Sequence, residues 1–149
     1  MAEYLETTVD KFTFKVPLDR QYTSGHLWLK EEDGLVRVGL TDYLQQTSGD
    51  VAFVEVTGAN SHLAAGDVLA TIETIKVNLD VGSPLSGSVR ETNLALEDAP
   101  ELVNQDPYGQ GWLALLAPDD WGVQRAGLLD PPAYLEQMQA EAIEESKKL

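Results

Sequence analysis

The segment Thr71-Ile72-Glu73-Thr74-Ile75-Lys76-Val77-Asn78-Leu79-Asp80 sets two short β-type runs on either side of a single lysine. β-branched side chains are stiff at χ1 and suit a pleated, half-buried surface, so both halves read as strands. The break in pattern around Ile75-Lys76-Val77 reads as a tight turn between them. Such a hairpin carries Lys76 at its tip and pushes the ε-amine into solvent, within reach of another protein.

The same lysine stands alone in the chain. Of six lysines, only Lys76 falls between Lys30 and Lys147. An acidic surface accepts lysines anywhere as partners in weak ion pairs, so this isolation asks for a cause. A ligase that must acylate one amine and no other is served by the removal of competing amines. The plain alternative is a surface lysine in a chain that favours arginine. Glu73 stands where a carboxylate can orient a docking ligase or simply balance charge on the hairpin.

Outward from the hairpin, short β-like runs dominate. They are expected at 12–16, 27–30, 35–40, 52–56, 68–73, 77–81, 87–91 and 112–117, separated by glycine, proline and asparagine signals. The fold class is mainly β, an antiparallel sandwich with short flanking helices. Thr41 is suited to cap a short helix beginning Asp42-Tyr43-Leu44, and a further turn is expected near 99–104. Asp130 as cap and Pro131 at the first helical position open a terminal amphipathic helix. Its apolar stripe is Tyr134, Leu135, Met138, Ala142 and Ile143, expected to pack on the sandwich. The chain is read as one domain over 1–149, with a core at about 12–117 and a C-terminal extension at about 118–149.

Composition excludes several function classes. The net charge of −15 repels phosphate backbones and anionic membrane surfaces, so nucleic acid is not an expected partner. No apolar run approaches a membrane span, and residues 1–10 carry neither a basic leader nor an apolar stretch, so a cytoplasmic location without membrane insertion is expected. The absence of cysteine removes disulfides, thiolate nucleophiles and zinc ribbons, and His26 and His62 alone make a poor metal site. Any redox chemistry must therefore arrive on a cofactor.

The residues around Lys76 also carry a family resemblance. Glu73-Thr74-Ile75-Lys76 resembles the E-S-V-K lipoylation segment of the glycine cleavage system H protein family. Gly39-Leu40-Thr41-Asp42 resembles its G-I-T-D, and Gly49-Asp50-Val51-Ala52-Phe53-Val54 its G-D-x-x-F-V. Ser83-Pro84-Leu85-Ser86-Gly87-Ser88-Val89, Asn93 with Leu96, Pro100-Glu101-Leu102-Val103-Asn104, Asp106-Pro107-Tyr108-Gly109 and Gly111-Trp112-Leu113 follow in family order. The resemblance covers roughly 22–116. It implies a lipoyl/biotinyl-carrier-type β-sandwich, a barrel-sandwich hybrid, that is not an enzyme. It also implies lipoic acid bound covalently as a lipoyl group on Lys76, loaded by a lipoate–protein ligase. The arm then serves several active sites by effective concentration rather than diffusion, on a carrier expected to be a monomer.

Two departures bear on the cargo. The family's S-H-E-W appears here as Ser24-Gly25-His26-Leu27-Trp28, with Leu27 in place of a glutamate that in the family faces the aminomethyl-loaded arm. Asp80 matches the family's second acidic residue near the arm. An apolar Leu27 suits a sulfur cargo better than an amine, and the tail beyond Trp121 looks altered. The preferred assignment is accordingly the H-protein-like lipoate-binding proteins of bacterial sulfur oxidation, which work with a heterodisulfide-reductase-like complex. The alternative is carriage of the aminomethyl group among the glycine cleavage enzymes.

Other residues have plainer readings. His26 beside a tryptophan is first a hydrogen-bonded packing residue and second a wall of the arm's cleft. Trp28 and Trp112 are expected to fill the sandwich core, and 104–109 to form a turn. A biotinyl carrier is disfavoured because Ile75 and Val77 stand where methionines usually flank the biotinylated lysine. An unmodified β-sandwich interaction module is the third possibility.

Overall fold

A computed structural model describes residues 3–148; Met1, Ala2 and Leu149, which fall within the expectations for the N-terminus and the domain bounds, lie outside the described residues. In chain order the elements are β1 (Tyr4–Val9), β2 (Phe12–Pro17), β3 (Gln21–Tyr22), β4 (Leu27–Glu32), β5 (Leu35–Leu40), α1 (Asp42–Ser48), β6 (Val51–Val56), β7 (His62–Leu63) and β8 (Val68–Thr74). They continue as β9 (Asn78–Gly82), β10 (Gly87–Thr92), α2 (Ala95–Asp98), α3 (Leu102–Gln105), β11 (Ala114–Pro118), α4 (Trp121–Gln124) and α5 (Pro131–Ser146). Eight of the strands match the runs expected from residue pattern.

The strands form three antiparallel sheets: the ribbon β1-β2, a six-stranded sheet β3-β4-β5-β11-β10-β7, and a three-stranded sheet β6-β8-β9. Alternation decides which side chains meet. Leu27 and Leu29 of β4 point one way and join Val36, Val38 and Leu40 of β5 in a core shared with Val54, Leu69, Ile72 and Val81 of the three-stranded sheet. That shared core makes the fold a β-sandwich. Each fully buried aliphatic side chain contributes roughly 1.5–3 kcal/mol.

Trp28 points to the opposite face of β4 and does not fill the space between the sheets. It lies in a second cluster with Phe14, Val16, Tyr22, Tyr43, Tyr134, Met138 and Ala142, where α5 and the ribbon cover the outside of the six-stranded sheet. The period-two geometry of a strand requires this, because Leu27 and Leu29 already occupy the inner face. Trp112 is only half-buried, under the guanidinium of Arg37 at 4.3 Å from the ring.

Local rules place the helices. Thr41 accepts from the Leu44 amide at 3.3 Å, capping α1, and Asp130 accepts from the Ala133 amide at 2.9 Å, capping α5. Along α5 the buried positions are Tyr134, Met138 and Ala142, while Ile143 is 39% exposed. The expected stripe is thus narrower, spaced by single turns that face the second cluster.

The ribbon β1 was not expected from the residue pattern. Its strands alternate, with Leu5 and Val9 packed against the second cluster, and Asp10 takes φ 57° in the connecting turn. A lone two-stranded hairpin is marginal in water, so this ribbon depends on α5 for its stability.

Candidate functional site

Lys76 sits in the connection between β8 and β9, exposed as expected, with Ile75 (77% exposed) and Val77 (45%) on either side. One side chain organises this tip. The Thr74 hydroxyl accepts from the Lys76 amide at 3.1 Å and the Val77 amide at 2.9 Å, and donates to the Ser48 carbonyl at 2.7 Å. The Thr74 amide closes the turn on the Val77 carbonyl at 2.9 Å, and the Ile75 amide donates to Asp50 O at 3.0 Å. The turn is therefore clamped to the end of α1 as well as closed on itself.

The lysine side chain follows that platform. Its ammonium donates to the Thr47 carbonyl at 3.1 Å, one of the α1 carbonyls left without an intrahelical partner. Its stem lies over Gly49, where an added Cβ would stand 3.4 Å from Lys76 Cδ; Gly49 also has φ 95°, which favours glycine. Asn104 holds the platform from beneath. It accepts from the Val51 amide at 2.8 Å and donates to Gln45 Oε1 and Gly49 O, both at 3.1 Å. Asn104 read as a turn former in sequence; its three long-range bonds join α1, β6 and α3, and no local pattern announces them.

The other candidate residues take separate positions. Glu73 is exposed on β8, and among the described residues no cation lies within ion-pair distance of it, so it does not balance Lys76. Asp80 is exposed and accepts from the Thr71 hydroxyl at 3.2 Å. Asp80 and Leu27 line one groove of about 320 Å³ together with Leu44 and Leu79. Leu27 itself is 6% exposed and belongs to the sandwich core.

His26 lies on the other side of α1. It adopts φ 70°, and its ring is buried, with Nδ1 2.9 Å from the Tyr134 hydroxyl and Nε2 donating to Glu141 at 3.0 Å. Tyr134 donates in turn to Thr41 Oγ1 at 2.9 Å, and burial raises its phenol pKa. His26 is thus a hydrogen-bonded packing residue. It also touches a second cavity, of about 510 Å³, whose edge includes Lys76. Tyr108 lies away from the arm, donating to Lys15 O at 2.6 Å and accepting from the Asp42 amide at 2.9 Å.

The exposed amine on its clamped turn is geometrically suited to carry a covalently attached group. Comparison with known proteins agrees with that chemistry. The family model described as glycine cleavage H-protein matches residues 20–141. The glycine cleavage system H protein of Thermus thermophilus is 44% identical over 127 residues, covering 85% of this chain and 98% of the relative. The glycine cleavage system H protein of Bacteroides thetaiotaomicron is 43% identical over 118 residues, covering 79% and 93% respectively. The crystal structure of a glycine cleavage system H protein from Mycobacterium marinum aligns with TM-score 0.74 at 34% identity, over 82% of this chain and 98% of that one. The chain belongs to the glycine cleavage H-protein family.

Proposed function

We propose that this protein is the lipoyl carrier of a glycine cleavage system, with the lipoyl group amide-linked to Lys76. The observation that carries this reading is that the one lysine between Lys30 and Lys147 is exposed at the β8-β9 hairpin tip, on a turn clamped by Thr74. The residues fit the group: the amine's hydrogen bond is to an exposed carbonyl, which a ligase displaces at little cost. A lipoyl group held on Lys76 would supply a disulfide able to receive the aminomethyl group together with the electron pair released by glycine decarboxylation, and to give that pair up again when the ring recloses.

This chain's own residues position and present. Thr74, Gly49 and Asn104 hold the attachment point rigid, so that only the arm moves. Glu73, with Ile75 and Val77, forms the surface offered to the lipoate–protein ligase. Asp80 provides a carboxylate on the hairpin's far groove for an amine-bearing arm. The net charge of −15 steers the carrier onto basic docking surfaces of the glycine cleavage enzymes in the cytoplasm, in encounters that weaken with salt. Among the described residues no helix is long and apolar enough to cross a membrane.

The sulfur-oxidation preference loses both of its supports. Leu27 packs in the sandwich core as well as lining the Asp80 groove, so its apolar character has a packing reason that does not depend on the cargo. The tail that looked altered carries α5, and the family match continues to residue 141. The relatives that match 79% and 85% of the chain carry glycine cleavage names, and no heterodisulfide-reductase-like partner is retained. The test is glycine-dependent carbon dioxide exchange with glycine decarboxylase. Lipoylated protein supports exchange and Lys76→Arg does not; a fully lipoylated but inactive wild type would overturn the assignment.

A further inference from the structure

The larger cavity has a wall that the family match does not include. Val9, Phe12 and Phe14 of the β1-β2 ribbon face Tyr43 of α1 and Ala142 of α5 across a space of about 510 Å³. The ribbon lies before residue 20, where the family match begins. Phe12 is 46% exposed and Val9 is half-buried, so apolar side chains are held open towards this space. Lys76 lies on the cavity's edge, and its ammonium points to the carbonyl of Thr47, another lining residue.

We propose that this ribbon pocket is a resting site for the dithiolane of the protein's own arm, an inference that rests on lipoylation of Lys76. Three observations commit the pocket to that occupant. Lys76 and Thr47, whose carbonyl accepts from the Lys76 ammonium, both line the cavity, so an acyl group on that nitrogen starts at its wall. The volume lies within the range of roughly 300–1,000 Å³ typical of small-molecule sites, ample for an acyl chain ending in a disulfide ring. The floor is aromatic, with Phe14 and Tyr43 in an edge-to-face pair at 5.1 Å, and divalent sulfur is favourably placed against aromatic rings. The groove of Leu27 and Asp80 shares α1 as a wall through Leu44 but does not reach Lys76.

The pocket's mouth adds selectivity. Asp10, Glu141 and Glu145 surround it, so anionic thiolates are repelled from a sulfur ring that would otherwise exchange with them. The ribbon thus shelters the oxidised arm between encounters, and a docking enzyme draws it out.

The experiment uses the full chain loaded with 13C-labelled lipoate by a lipoate–protein ligase, with loading checked by intact mass. Isotope-filtered NOE spectra are expected to connect the dithiolane protons to the rings of Phe12, Phe14 and Tyr43. Reduction of the dithiolane by dithiothreitol is expected to run roughly three- to tenfold faster in Phe12→Ser than in wild type. Val123→Ser, a change at a 69% exposed site, should leave the rate unchanged. A loaded protein whose dithiolane shows no NOE to these rings, or contacts Leu27 and Leu79 instead, would overturn the pocket while leaving the carrier reading intact. No mass gain with active ligase would overturn both. Should Phe12→Ser fail to fold, the wild-type NOE spectra decide alone.

Discussion

Replacing Thr74 with valine keeps the shape of the hairpin tip and removes the hydroxyl that clamps it. Three hydrogen bonds are lost: the donation to Ser48 O at 2.7 Å and the acceptances from the Lys76 and Val77 amides at 3.1 and 2.9 Å. Each is worth roughly 0.5–1.5 kcal/mol net, and the two exposed amides recover part of theirs from water, so the clamp weakens by about 2 kcal/mol. The Thr74 amide to Val77 O and the Ile75 amide to Asp50 O remain, so the hairpin persists. Local opening of the tip should then rise by roughly 30-fold, at about 1.4 kcal/mol per decade. The assay is native-state hydrogen exchange at the Lys76 and Val77 amides, with amides in β4 and β5 as internal reference. Faster exchange confined to the tip is expected. Unchanged exchange at both amides, or equal acceleration throughout the sheet, would refute the clamp as an independent local device.

Three further outcomes follow from packing and charge. Gly39→Ala should destabilise by about 1–3 kcal/mol in urea titration, because its Cβ would stand 2.7 Å from the Trp28 ring, which is 1% exposed and donates to Pro107 O. Wild-type midpoints in that variant would show that the ring moves freely. Tyr134→Phe should cost about 1–3 kcal/mol and alter the imidazole NMR signals of His26, since Nδ1 of His26 and the Thr41 hydroxyl both lose a buried partner; unperturbed His26 signals would contradict the network. Arg37 hydrogen-bonds Glu32 through two nitrogens and holds its carboxyl below the ordinary value of 4.5. A depressed carboxylate contributes stability above its unfolded pKa and loses it as pH falls through the folded one. Wild type should therefore exceed Glu32→Gln by about 0.2–1 kcal/mol near neutrality, with the gap closing in acid. A gap independent of pH would contradict this.

The sandwich was legible because its strands obey local rules: β-branched runs, glycine and proline breaks, and the caps at Thr41 and Asp130. Lys76 was legible because isolation and a turn pattern are both visible along one dimension. What stayed hidden depends on distant parts of the chain. Thr74 looks like any strand threonine until Ser48 is brought beside it, and Asn104 looks like a turn former until three elements converge on it. Leu27 read as a statement about cargo because its burial was not visible in the sequence, where an apolar residue at a polar family position suggests chemistry before packing. The β1-β2 ribbon alternates correctly, yet only its contact with α5 makes those residues a stable pair of strands.

Lys76 is expected to be the sole site of lipoylation in the chain. Peptide mapping by mass spectrometry of the protein purified from its own host tests this most directly, with the Lys76→Arg variant expressed alongside. One lipoyl increment on the Lys76 peptide, none on peptides bearing the other lysines and none in the variant are expected. A bare Lys76 in the host protein, or an increment that survives in Lys76→Arg, would place the group elsewhere or nowhere.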